Sequence, residues 1–82
     1  MKYSYQTKGT CSKSVTFDLQ NGKVYNVQFD GGCSGNLQGI ARLVEGMSVQ
    51  EIIKKCSGIH CGSKDTSCPD QLARALRSVQ QG

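Results

Sequence analysis

The hydrophobic period of this chain changes once and does not change back. Up to residue 31 the apolar positions alternate: Tyr3, Tyr5 and Thr7 share one face, then Val15, Phe17 and Leu19, then Tyr25, Val27 and Phe29. From residue 34 onward the spacing is helical, with stripes at Leu37, Ile40, Ala41 and Val44, at Val49, Ile52, Ile53 and Cys56, and at Leu72, Ala75, Leu76 and Val79. Strands that all precede the helices cannot make the crossovers of a parallel sheet. The expected fold is therefore α+β: a three-stranded antiparallel sheet at the N-terminal side, covered on one face by three C-terminal helices. At 82 residues the chain is expected to be a single domain, 1–82.

Punctuation between the runs supports the same order. Asn21-Gly22 marks a hairpin turn. A two-residue loop there would set Phe17 against Asn26 and Val15 against Gln28, mixing apolar with polar on each face. Sliding by one residue sets 15, 17 and 19 against 29, 27 and 25, so a three-residue connection with Gly22 left-handed is expected. Gly46 is placed to end the first helix. Ser48 and Glu51 form a capping box for the second, with Met47 placed to staple onto Ile52. Residues 57–67 read as a loop, and the last helix begins near Cys68 with Pro69 in its first turn.

The stripes are thin. Leu, Ile, Val and Phe make up about a fifth of the chain, close to the lower limit for folding by burial alone, and at this length burial and conformational entropy nearly cancel. Something beyond the core is needed, and the five cysteines are the candidates. Cys56, seven residues after Val49, lies on the second helix stripe and reads as a packed thiol. Cys11, Cys33, Cys61 and Cys68 each sit at a junction between elements, three of them close to Gly, which lets backbone turn sharply beside a thiol. Cys33 and Cys68 also precede helices, whose free N–H groups and dipole suit a negatively charged sulfur. No CxxC pair is present, and the intervals of 22, 28 and 7 residues match no standard zinc-finger pattern. On residue types, a four-thiolate site for zinc is the first expectation. His60 is adjacent to Cys61, and adjacent residues make poor joint ligands.

Charge and composition exclude other classes. The net charge of +4 is spread along the chain, with Lys54-Lys55 the one adjacent pair, and no basic run interleaves with aromatics, so nucleic acid is not an expected partner. No apolar run is long enough to span a membrane. The opening residues, MKYSYQTKGTCSK, lack the apolar stretch and cleavage site of a signal peptide, so a cytoplasmic location is expected. In a reducing compartment, cysteines serve more often as metal ligands or redox groups than in disulfides. No Ser–His–Asp constellation or carboxylate pair marks a hydrolytic site.

Thr66-Ser67-Cys68-Pro69-Asp70 followed by Gln71-Leu72-Ala73, together with Cys11-Ser12, Gly31-Gly32-Cys33-x-Gly35-Asn36-Leu37 and Leu43-Val44-Glu45-Gly46-Met47, resembles the TSCPD domain family over essentially the whole chain. Small stand-alone members of that family carry four cysteines, matching Cys11, Cys33, Cys61 and Cys68. The same domain occurs near the C-terminus of adenosylcobalamin-dependent ribonucleotide reductases, so the resemblance implies an association with deoxyribonucleotide synthesis and a ribonucleotide reductase as partner. A radical enzyme needs a large barrel and a cofactor site, and 82 residues cannot enclose them. An accessory role follows. The layout is also similar to the IscU-type iron–sulfur scaffold proteins, with Cys33, Cys61 and Cys68 at the positions of their three cysteines. Here the scaffold's acidic ligand is missing and Cys11 is added, and a fourth thiolate closes a site in the manner of structural zinc. The expected function is a four-cysteine metal-binding accessory module. The alternatives are a thiol redox protein, with Cys61 and Cys68 as the pair, and an iron–sulfur cluster carrier.

Overall fold

The two periodicities resolve into six elements. The computed structural model describes residues 2–10, 12–31, 34–60 and 62–81. Strands β1 (Lys2–Gln6), β2 (Ser12–Gln20) and β3 (Lys23–Gly31) form one antiparallel sheet in the order β1-β2-β3. Helices α1 (Ser34–Val44), α2 (Val49–Cys56) and α3 (Cys68–Gln81) follow. The α+β arrangement is as the periodicity implies. Among the described residues no helix is long and apolar enough to cross a membrane.

Each stripe finds its partner in one core. Val15 and Phe17 of β2 and Val24 and Val27 of β3 meet Val44 of α1, Val49 and Ile52 of α2, and Leu72, Ala75 and Leu76 of α3. Burying side chains of this kind contributes about 1.5–3 kcal/mol apiece before the entropy of ordering them is subtracted. Tyr3 lies opposite Phe17 in the ladder, and their rings stack with centroids 5.8 Å apart. Cys56 packs against this core, half-buried, as its place on the stripe requires. Leu43, 79 % exposed, stands off the α1 stripe.

The hairpin departs from expectation. Gln20 pairs with Lys23, so the connection is the two-residue Asn21-Gly22 turn, not a three-residue one, with φ of 54° and 76° at the two positions. Such angles define a type I′ turn, whose twist matches the strands. The parity conflict is resolved farther along the strand. Between Thr16↔Gln28 and Asp18↔Tyr25 the register shifts, so that Phe17 faces both Asn26 and Val27. Asn26 takes φ 55° as the extra residue of this bulge, a conformation Asn tolerates better than most residues. Val15 therefore does pair with Phe29, but Val24 replaces Tyr25 in the core.

A second register shift separates Ser12↔Gly31 from Ser14↔Asp30 and leaves Lys13 as the extra residue on β2. By simple alternation Lys13 would share the face of Val15. Instead Lys13 is exposed and Ser12 is buried. The shift re-aims Ser12 inward, a common use of bulges beside functional sites.

Glu45, Gly46 and Met47 explain themselves through the outer edge of β3. Gly46, at φ 78°, donates its N–H to the Val24 carbonyl at 2.7 Å, and the Val24 N–H donates to the Met47 carbonyl at 2.9 Å. The Glu45 carboxylate accepts the Asn26 N–H at 2.8 Å. This strap satisfies backbone groups on an edge that would otherwise invite pairing with another chain. Ser48 caps α2 as expected, accepting the Glu51 N–H at 3.1 Å. The Lys54-Lys55 pair falls in the last turn of α2, where cations oppose the negative helix end, and Lys55 also pairs with Glu51 at 3.4 Å.

Candidate metal centre

Cys68 is the first residue of α3, and its thiol is free and half-buried. Cys11, Cys33 and Cys61 lie outside the described residues, and Cys68 is the predicted ligand that lies among them. The Cys61–Cys68 redox pair falls partly outside for the same reason. Among the described residues no three His, Cys, Asp or Glu side chains gather into a metal-sized group.

The neighbourhood of Cys68 is built from hydroxyls. Ser12 Oγ lies 3.2 Å from Cys68 Sγ and shares a hydrogen bond with it. Thr7 Oγ1 donates to the Ser12 carbonyl at 2.6 Å and also lies 3.3 Å from Ser12 Oγ. Thr10 Oγ1 is 3.1 Å from Ser12 Oγ and 3.3 Å from the same carbonyl. Ser12 also opposes Gly31 across the β2–β3 ladder. One buried serine thus touches α3, the β1–β2 loop and the C-terminal end of β3.

The start of α3 is tied down by a second polar network. Ser67 caps the helix, its Oγ accepting the Asp70 N–H at 3.2 Å. Asp70, 3 % exposed, accepts the Gly58 N–H at 2.7 Å and the Thr66 hydroxyl, and pairs with Arg74 at 3.0 Å. Gln71, 1 % exposed, donates to Thr66 Oγ1 at 3.0 Å and accepts the Lys8 N–H at 3.1 Å. Gly9 completes the contact: at φ 75°, a Cβ there would lie 3.1 Å from Thr66 Cγ2. Among the described residues every buried side-chain N or O atom has a hydrogen-bond partner. Such satisfaction is what makes a buried polar cluster rigid rather than costly.

Charge follows from these contacts. Burial alone would raise the Asp70 carboxyl, but the Thr66 hydroxyl, the Gly58 N–H and the nearby Arg74 and His60 outweigh it and hold the group below the ordinary carboxylate value. The Cys56 thiol is pushed up by burial and by the Asp70 charge, which suits a packed, unreactive group. Periodicity had already separated Cys56 from the other four.

Ser12, Thr66, Asp70 and Gln71 are the residues that spacing did not single out. The available signal was the Ser67-x-x-Asp70 capping pattern at the head of a helix followed by Gln71, which pointed to a cap but not to contacts with Gly58 or Lys8. Chemically, the arrangement presents one soft sulfur with a hydroxyl against it at a rigid helix start, a single donor of the kind a thiophilic cation takes.

Comparison with curated proteins finds no match, and neither does comparison with solved structures. A family model does match, that of the TSCPD domain, over residues 1–80. The five residues of that name stand at Thr66 to Asp70, where they form the loop end, the cap and the first turn of α3. The chain belongs to the TSCPD domain family.

Proposed function

We propose that this chain is a metal-binding module in which Cys11, Cys33, Cys61 and Cys68 hold one zinc ion, and that it acts as an accessory protein to a ribonucleotide reductase. The observation that carries the reading is the position of Ser12. It adjoins Cys11 in sequence, opposes Gly31, two residues before Cys33, and contacts the Cys68 sulfur. The Asp70 bond to Gly58 N–H draws in the segment that leads to Cys61. Ser12, Gly31 and Gly58, which stand one, two and three residues in sequence from Cys11, Cys33 and Cys61, are thus tied, directly or through one residue, to the head of α3. Four thiolates form a closed tetrahedral set, whose usual task is structural. Association with a ribonucleotide reductase rests on the family, which also occurs within those enzymes.

Metal analysis of protein purified without added metal tests the proposal. One zinc per chain is the expected result. Substoichiometric metal in a normally folded protein contradicts it.

A further inference from the structure

We propose that the outer edge of β3 between Val27 and Gly31 is a dimerisation surface, on which a second copy of this chain adds its own β3, antiparallel, about a two-fold axis at Phe29. The inference is independent of the metal-binding reading.

The strap of Glu45 to Met47 covers this edge only over its first half, at Val24 and Asn26. Alternate residues of an antiparallel ladder turn both backbone groups to the same neighbour. Gln20 and Lys23 close the turn facing each other, so Asp18, Thr16 and Ser14 of β2 also face β3, and Gln28 and Asp30 face them in return. Phe29 therefore turns its N–H and carbonyl outward, and among the described residues nothing bonds them. The free part of β3 also has none of the lysines, prolines or covering segments that keep an edge from pairing. Beside it, two adjoining cavities of about 310 and 410 Å³ separate β3 from α1, both lined by Val27, Gln28, Gln38 and Ala41.

This surface complements itself. With Phe29 on the axis, the two copies of Phe29 form an aromatic cross-strand pair, and Phe29 already lines the groove. Gln28 and Asp30, both exposed, then stand opposite each other across the axis twice, an amide donor against a carboxylate with no like charges opposed. On the α1 side, Arg42 and Glu45 line the groove together, and a patch carrying both signs matches its own copy when turned about a two-fold axis. A second copy also supplies the burial that a core of this size lacks.

Sedimentation equilibrium of the full chain over a range of concentrations provides the test. The parent is expected to reach twice the 8.9 kDa of one chain, with a melting temperature that rises with protein concentration. Gln28→Glu sets two like-charge pairs across the axis and is expected to weaken the dimer by about 10-fold. Within its own sheet Gln28 is exposed and opposes Thr16, so the fold is retained, as circular dichroism checks. Adding Asp30→Lys to that variant converts both pairs to opposite charges and is expected to restore the dimer. A parent chain that is monomeric at every concentration overturns the proposal and leaves the edge to a strand of another protein. A dimer indifferent to Gln28→Glu, or one that the second change does not restore, places the contact on another surface and overturns it as well.

Discussion

Asp70→Ala is expected to destabilise the domain by about 3–5 kcal/mol, the scale for removing one partner of a buried charged network. The carboxylate is nearly inaccessible, and its removal strands the Gly58 N–H and the Thr66 hydroxyl where water does not easily replace it. Each orphaned group costs about 1–3 kcal/mol. The Arg74 pair adds little, because half of that side chain is exposed. A chain of this size holds about 3–5 kcal/mol from its core alone, so Asp70→Ala leaves the metal-free protein largely unfolded. Urea titration followed by circular dichroism measures the loss. Asp70→Asn keeps one acceptor and should lie between the parent and Asp70→Ala. Acid adds a second signature. A carboxyl held below its unfolded value of ~3.9 contributes stability that is present above that pH and lost as the pH falls through the folded value. Asp70→Asn should therefore flatten the acid limb of the stability profile below about pH 4 and leave its neutral plateau lower.

Cys68→Ala and Cys56→Ala should differ far more than their chemistry suggests. Under the proposed function Cys68 is one of four ligands, and structural zinc contributes about 10–16 kcal/mol of apparent folding free energy in small domains. That exceeds anything the core supplies, so Cys68→Ala should melt no higher than the metal-free parent chain, even with zinc present. Cys56 packs half-buried against the core with a thiol that burial keeps protonated. Its replacement by Ala loses little more than one buried group, on the order of 1 kcal/mol. Thermal melts of the two variants, with zinc present, report the contrast.

The single change of period was enough to read the architecture, because a strand face and a helix stripe leave different marks on the order of residues. Leu72, Ala75 and Leu76 are buried as their spacing requires. The hairpin register was less legible. Alternation presented a real conflict between the Asn21-Gly22 turn and the apolar residues of β3, and two backbone devices resolve it equally well: a longer turn or a bulge at Asn26. The chain uses the bulge, and a left-handed Asn inside a strand carries no sequence mark beyond its identity. Much of the site was hidden for a similar reason. Ser12, Asp70 and Gln71 act through partners 12 to 63 residues away in the chain, and local spacing holds no information about such pairs. Glu45-Gly46-Met47 was legible as a helix end, but its part as an edge strap needs the path of β3.

The central claim is the division of five cysteines into four ligands and one packed thiol, and thiol titration of the native protein tests it most directly. With a thiol reagent in the absence of denaturant, the four cysteines at positions 11, 33, 61 and 68 should stay protected, then react together once a chelator removes the metal. Cys56 should react at a rate set by its burial and unaffected by the chelator. Four freely reactive junction cysteines in folded, chelator-free protein would contradict the account.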